Sequence, residues 1–291
     1  MITIALLRGN LLSCLHIGSE VAAGMTTQGP TTGTATLNGP MWGWSARDWA
    51  SIQEGQFKAG FEAVLTHCGV GPQTAYLDAG CGAGMAVQIA ASRGARVSGF
   101  DAAEALLAIA RERVPSGDFR VADLEDVPFD DATFDVVTGF NSFQFAGDPV
   151  RALAEARRIA KPGGRVVVMT WGRPEGMEAA GIVAALRPLL PPPPPGAPGP
   201  FALSEEAKLR AFAEAAGLMA EDVVDVESPW HYPDEDTALR GLASSGVAAR
   251  AAALSGIEAV NAAHRTALAP YRRADGAFRI GATCRFLVAR A

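Results

Sequence analysis

At 291 residues, with 49% hydrophobic and 19% charged residues, the chain is long enough to bury a full core as one large α/β domain. Its formal charge is -6 and its Lys and Arg residues are scattered rather than striped, which excludes a basic track for nucleic acid. Cys14, Cys68, Cys81 and Cys284 have neither disulfide nor zinc spacing, and no apolar run approaches the about 18 residues that a membrane span needs, so a reducing, cytoplasmic setting without metal or membrane is expected.

Residues 1–40 read as a flexible segment. Arg8 interrupts its mildly apolar start and no basic n-region precedes it, which makes a poor signal peptide, and Met25 is an alternative start. Trp49, Ile52, Phe57, Phe61, Val64 and Leu65 then recur at helical spacing, predicting an amphipathic cap helix over 41–68. Short β-branched runs follow, at Ala75 to Leu77, Arg96 to Phe100, Phe119 to Val121, Phe134 to Thr138 and Arg165 to Thr170. Between them helices are predicted at Met85 to Arg93, Ala103 to Arg113 and Val150 to Ala160, the last stopped by Lys161-Pro162-Gly163-Gly164. Such alternation means βαβ units and a parallel sheet, with a core over 72–172.

Beyond that core, the run from Pro191 to Pro195 marks a Pro-rich surface insertion over 188–200. Ser204 before Glu205 and Glu206 is expected to cap a helix that ends at Gly217, and a strand follows near Val223 to Glu227. An Ala-rich helical lid is expected over 230–273, broken at Gly246 and Gly256, with Ala277 to Ala289 as the last strand.

The strongest chemical signal is Leu77-Asp78-Ala79-Gly80-Cys81-Gly82-Ala83-Gly84, a strand running into a glycine turn that opens a helix. Glycines let backbone approach a ligand closely, and a helix N-terminus favours anionic groups. A dinucleotide fingerprint beginning at Gly80 would want a small residue where Met85 stands, and Asp78 precedes the glycines, so the register suits a ligand carrying an ammonium group better than a pyrophosphate. Asp101 ends the second strand a little over twenty residues after Asp78, where an acid accepts ribose hydroxyls, and Asp123 ends the third. Taken singly each acid reads equally well as a helix cap or a solvated turn residue. Three acids at the carboxyl ends of consecutive strands form one ligand-binding edge.

On these residues the chain resembles the class I S-adenosylmethionine-dependent methyltransferases, in particular the small-molecule group called methyltransferase type 11. The resemblance runs from Tyr76 to Trp171 and rests on the glycine motif, Gly99-Phe100-Asp101, Ala122 to Phe129, Phe134-Asp135-Val136-Val137 and Lys161 to Gly164. It implies a Rossmann-like seven-stranded sheet whose last strand is antiparallel, with an N-terminal helical cap and a helical insertion before that strand. It places S-adenosylmethionine with its methionine end at Asp78 and Gly80, Cys81, Gly82 and Gly84, its ribose at Asp101 and Ala102, and its adenine at Ala122, Asp123 and Leu124, with Asn141 as a further contact.

The acceptor should meet the methyl group at Gly139-Phe140-Asn141-Ser142-Phe143-Gln144-Phe145, after the fourth strand. Some sugar O-methyltransferases carry a His base at this turn, whereas this chain has the amides Asn141 and Gln144, which orient but do not accept protons. A base would then come from the lid, where His231 is the first candidate and His264 the second, although a single His is usually structural. Phe143, Gln144, Trp171 and Tyr232 are the expected acceptor contacts, and the alternating Phe140, Phe143 and Phe145 suit an apolar, polyketide-like or terpenoid substrate. Phe57 and Phe61 read more simply as core, whereas Trp42, Trp44 and Trp49, with Gln53, are candidates to roof the cofactor. Methyl transfer to oxygen, nitrogen or carbon is the first reading, a cofactor-retaining cyclase or isomerase the second, and a nicotinamide oxidoreductase is disfavoured by Met85. The protein is expected to be a monomer or homodimer.

Overall fold

A computed structural model describes residues 33–192 and 199–291. Cys14, most of the expected flexible segment and residues 193–198 of the Pro-rich insertion lie outside them. The cap comes first: α1 (Ala35–Gly43), a single turn α2 (Ala46–Asp48), a π turn (Trp49–Gln53), a 3-10 turn (Glu54–Phe57) and α3 (Lys58–His67). A single helix over 41–68 is therefore not what forms. The widened turn lets Trp49 and Glu54 reach Gly82 while Phe57 and Phe61 still point into the sheet core, two directions that one unbroken 3.6-residue stripe does not serve.

The sheet alternates with helices as the sequence predicts: β1 (Ala75–Ala79), α4 (Met85–Ser92), β2 (Arg96–Asp101), α5 (Glu104–Arg113), β3 (Asp118–Val121), β4 (Phe134–Phe140), α6 (Pro149–Ile159) and β5 (Ala160–Trp171). After α7 (Glu178–Ala184) come α8 (Glu206–Ala215), β6 (Met219–Glu227) and β7 (Trp230–Tyr232). The stretch expected as a lid holds α9 (Glu235–Ala243), α10 (Gly246–Ser255) and α11 (Ile257–Leu268), and β8 (Phe278–Ile280) and β9 (Thr283–Arg290) follow it.

Seven strands order as β3-β2-β1-β4-β5-β9-β6, and β9 runs antiparallel to both of its neighbours, whereas the other pairs are parallel. The chain thus reverses its direction of winding between β1 and β4, and the carboxyl ends of those strands open the crevice where such sheets bind ligands. Every residue of β1 is buried, because helices cover both faces. Tyr76 joins the cluster under α3 and α4, and Leu77 joins the one under α6 and α8. Truncating a fully buried side chain here, such as Leu77 or Leu153, costs about 2–5 kcal/mol.

Local chemistry sets the boundaries. Asp148 caps α6 by accepting from the Arg151 amide at 3.0 Å, with Pro149 at the first helical position. Ser204 does not cap α8: its hydroxyl donates back to the Phe201 carbonyl at 2.8 Å, and Glu205 takes the cap position. The expected single strand over Ala277 to Ala289 is broken at Gly281 and Ala282, whose carbonyls accept from Ala179 of α7 and from Ser228. The short β7–β8 ribbon that results carries the lid, and it places His231 and Tyr232 on a strand rather than at a helix start. Among the described residues no helix is long and apolar enough to cross a membrane.

Candidate active site

The glycine turn is built as its sequence requires. Gly80 has φ +73°, and a Cβ there would lie 2.5 Å from the Ser142 Cβ; Gly84, at φ +82°, lets α4 approach Ala110 of α5. The amides of Gly80 and Cys81 both donate to the Phe100 carbonyl at 2.9 Å, and the Gly82 amide donates to Asp101 Oδ2 at 2.9 Å. Asp101 Oδ1 accepts from the Ala103 amide at 2.8 Å, and the Asp101 carbonyl accepts from the Ala122 amide at 3.1 Å. The ends of β1, β2 and β3 are thereby tied into one edge that holds Asp78, Gly80, Cys81, Gly82, Gly84, Asp101, Ala102, Ala122, Asp123 and Leu124.

That edge is rich in buried acid. Asp78 is 2% exposed and accepts from the Thr138 hydroxyl at 2.9 Å; burial pushes its carboxyl well above the usual range, and Glu54 and Asp101 add to the rise. Burial also raises Asp101, against three backbone amides that favour its charged form. Burial pushes the Cys81 thiol up as well, which leaves it inert rather than nucleophilic. Asp123 accepts from the Ala35 amide at 2.7 Å and from the Glu125 amide at 2.9 Å, so α1 begins on this acid. The same helix packs Gly39 against the Ala102 carbonyl and hangs Asn38 on the Phe145 carbonyl at 2.9 Å. Its far end reaches the lid, where Trp42 lies against Gly246 and Trp44 Nε1 donates to the Ala243 carbonyl at 3.2 Å. The cap is a strap from Asp123 to α10.

At the end of β4, Asn141 adopts a left-handed backbone with φ +52° and takes the Gln144 amide on its Oδ1 at 3.3 Å. Ser142 Oγ and Gln144 Oε1 are buried without a partner, and Ser142 lies against Gly80 of the glycine turn. Unsatisfied buried polar atoms are rare because each costs roughly 1–3 kcal/mol. Unpaired oxygens, clustered acids and a turn that admits no Cβ suit a ligand with cationic and hydroxyl groups.

An apolar wall adjoins this polar edge. Phe140 ends β4 and packs on Phe61 with ring centroids 4.7 Å apart; Trp171 ends β5 and meets Phe57 at 5.4 Å, Trp230 at 5.8 Å and Phe201 at 6.4 Å. Trp42 and Trp49, 5.1 Å apart, continue the wall toward Phe145. Phe57 and Phe61, read from their spacing as core, are buried and face this wall at the same time.

A family profile described as "Methyltransferase domain" matches residues 77–168, the stretch that carries the glycine turn and the strand-end acids. A malonyl-[acyl-carrier protein] O-methyltransferase of Erwinia pyrifoliae is 32% identical over 204 residues, which is 70% of this chain and 73% of that protein. The chain belongs to the class I S-adenosylmethionine-dependent methyltransferases. A second malonyl-[acyl-carrier protein] O-methyltransferase, from Serratia marcescens, is 36% identical over 99 residues, 34% of this chain and 39% of that protein, so the likeness to some curated relatives covers well under two thirds of their length. Among solved structures the fold is similar to that of the [4+2]-cyclase SpnF, at a TM-score of 0.51 and 24% identity over 79% of each chain.

The other residues expected at the site of this methyltransferase fall in different places. Phe143 is 1% exposed and fills the space over Gly139 on the α6 side of the sheet, so it packs in the core instead of lining the aromatic wall. Trp171 is in the wall. Tyr232 is buried and donates to Gln53 Oε1 at 2.8 Å, which pins the lid ribbon to the cap. His231 is exposed on β7, with its backbone held by the Gln56 side chain, and it borders an outer hollow of about 400 Å³ with Arg273 and Asp275. His264 is buried in α11, and burial lowers its imidazole to about 4.

Two partners at this edge escape the sequence reading. Glu54 is 4% exposed, accepts from the Met85 amide at 3.1 Å and is ion-paired with Arg113, which also donates to the carbonyls of Ala83 and Ala50. Burial raises the Glu54 carboxyl, and Arg113 opposes the rise. The available signal is Glu54's spacing with Ala50, Phe57 and Phe61 on the buried face, where an acid is out of keeping with its neighbours.

Proposed function

We propose that this methyltransferase moves the methyl group of S-adenosylmethionine onto an oxygen, nitrogen or carbon nucleophile of a small, largely apolar acceptor that needs no protein base. The observation that carries this reading is the aromatic wall at the ends of β4 and β5, next to a turn whose polar side chains are Asn141, Ser142 and Gln144. When bound, the cofactor supplies a methyl group on a positively charged sulfur. On this reading Asp101 accepts from ribose hydroxyls and Asp123 from the adenine amine, while the turn from Gly80 to Gly84, with Asp78 behind it, holds the methionine end. Asn141 and Gln144 orient the acceptor, and the rings of Phe140, Trp171 and Trp230 exclude water and align it for in-line displacement.

Amides and a hydroxyl take no proton at neutral pH. His264 is too weakly basic at about 4, and His231 borders the outer hollow. An acceptor that ionises by itself, such as a carboxylic acid or an acidic phenol, fits this setting, and the O-methyltransferases among the relatives support it. The test is product mass: purified protein, S-adenosylmethionine and a panel of apolar carboxylic acids, phenols and aliphatic alcohols. The acids or phenols should gain one methylene unit with equimolar S-adenosylhomocysteine. A product isomeric with its acceptor, without S-adenosylhomocysteine, would replace this reading with the cyclase or isomerase one.

A further inference from the structure

We infer that Glu54, carried by the cap rather than by the sheet, is the counter-charge for the amino-acid end of S-adenosylmethionine, seated across the glycine turn from Ser142. The inference rests on the methyltransferase reading and deepens it. A Cβ built on Gly82 would stand 3.8 Å from Glu54 Oε1 and 3.4 Å from Trp49 Nε1, so the cap closes on one side of the turn. On the other side Gly80 faces Ser142, which is 8% exposed and whose Oγ has no partner. The turn therefore runs between two buried oxygens, Glu54 Oε1, which accepts from the Met85 amide, and Ser142 Oγ, which has no partner.

The charges around Glu54 point the same way. From α5 it faces Arg113; from β1 it faces the buried Asp78, whose charged form is opposed by both Glu54 and Asp101. Arg113 is shared between Glu54 and two backbone carbonyls, and it does not act on Asp78, whose carboxyl has, among the described residues, only the Thr138 hydroxyl. Buried carboxylates are stable when paired. A ligand bringing an ammonium group and a sulfonium supplies the missing positive charge between Glu54 and Asp78. A plainer role for Glu54, a latch of the cap onto α4 and α5, predicts a different ligand dependence.

The experiment is calorimetric titration of the wild type and Glu54→Gln with S-adenosylmethionine, S-adenosylhomocysteine and 5′-methylthioadenosine, which shares the adenine, ribose and sulfur but lacks the amino-acid end. Loss of a charge-assisted bond should weaken the first two by about tenfold or more, while methylthioadenosine changes by less than about twofold. Equal weakening of all three would make Glu54 a latch, and unchanged or tighter binding of S-adenosylhomocysteine would also overturn the assignment. If Glu54→Gln fails to fold by circular dichroism, the double variant Glu54→Gln, Arg113→Met removes both buried charges and is read by the same comparison. Failure of the wild type to bind either cofactor form would instead sink the methyltransferase reading itself.

Discussion

Replacing His264 with Leu tests whether the lid histidine is a structural group. The imidazole is 3% exposed, its Nδ1 has no partner, and burial lowers it to about 4 from 6.5. Between those values the unfolded chain binds a proton that the folded chain does not, so this residue's contribution is fully present above about pH 6.5 and is lost as pH falls toward 4. The wild type should lose about 2 kcal/mol relative to His264→Leu by pH 5, approaching about 3 kcal/mol at lower pH. Near pH 8 the two proteins should be close, because an apolar group of similar volume replaces an unsatisfied one. Urea unfolding of both proteins at several pH values gives the difference directly, and the buried acids, common to both, cancel. Parallel stability curves between pH 8 and 5 would refute the buried neutral imidazole, and a large loss of methyl transfer at pH 8 would restore His264 as a catalytic candidate.

Four further outcomes are expected. Asp101→Ala should weaken S-adenosylmethionine binding by roughly 100-fold in a calorimetric titration, because it removes the proposed ribose acceptor and unpairs the Gly82 and Ala103 amides; binding within a few-fold of wild type would remove that role. His231→Ala should keep its turnover within about twofold, as expected for an exposed surface residue, and a bell-shaped pH profile that loses one limb in the variant would show that it is a base after all. Gly39→Val sets a side chain where a Cβ would already lie 2.5 Å from the Ala102 carbonyl oxygen, so the α1 strap must lift and S-adenosylhomocysteine should dissociate faster in stopped-flow tryptophan fluorescence; an unchanged rate would show that the strap does not retain it. Burial raises Asp78, Asp101 and Glu54, and a cationic ligand favours their charged forms, so binding should release protons and tighten as pH rises through their ionisation. Calorimetry in buffers of different ionisation enthalpy reads this, and proton uptake would contradict it.

The elements legible in the sequence are those fixed by local chemistry. β1, β2 and β4 are largely buried and show as short runs around Ala75-Tyr76-Leu77, Val97 with Phe100, and Val136-Val137, and Asp148-Pro149 announces the start of α6 in two letters. The glycine turn is legible because its left-handed positions demand that residue. What the sequence hides depends on distant partners. Trp230 to Tyr232 forms a strand only because Phe278 to Ile280 pairs with it across the whole lid. The cap breaks into turns because Glu54 must meet Arg113, 59 residues away, and nothing around Trp49 spells a π turn. Phe143 alternates with Phe145 in the sequence, yet a 3-10 turn sends it beneath the sheet, since a period of two holds only while the strand lasts and β4 ends at Phe140.

The placement of charge explains why the cap and the nucleotide-binding edge belong to one device. A carboxylate at the α4 N-terminus gains from the helix dipole and from Arg113, which makes Glu54 tolerable there. Asp78 lacks such a cation: its hydrogen bond from Thr138 stabilises the charge only in part, and both neighbouring acids oppose it. A sequence selected for stability alone would place Asn or an apolar residue at such a position, because removing an unpaired buried charge is favourable. That Asp stands there, on the strand that feeds the glycine turn, is the kind of local inconsistency that functional sites carry. The strap supplies the other half of the logic, since α1 lies over Asp123 and Ala102 and ties that cover to the lid through Trp42 and Trp44. The strand-end acid Asp123 and the helix α10 are thereby joined through one cap helix, which packs on both.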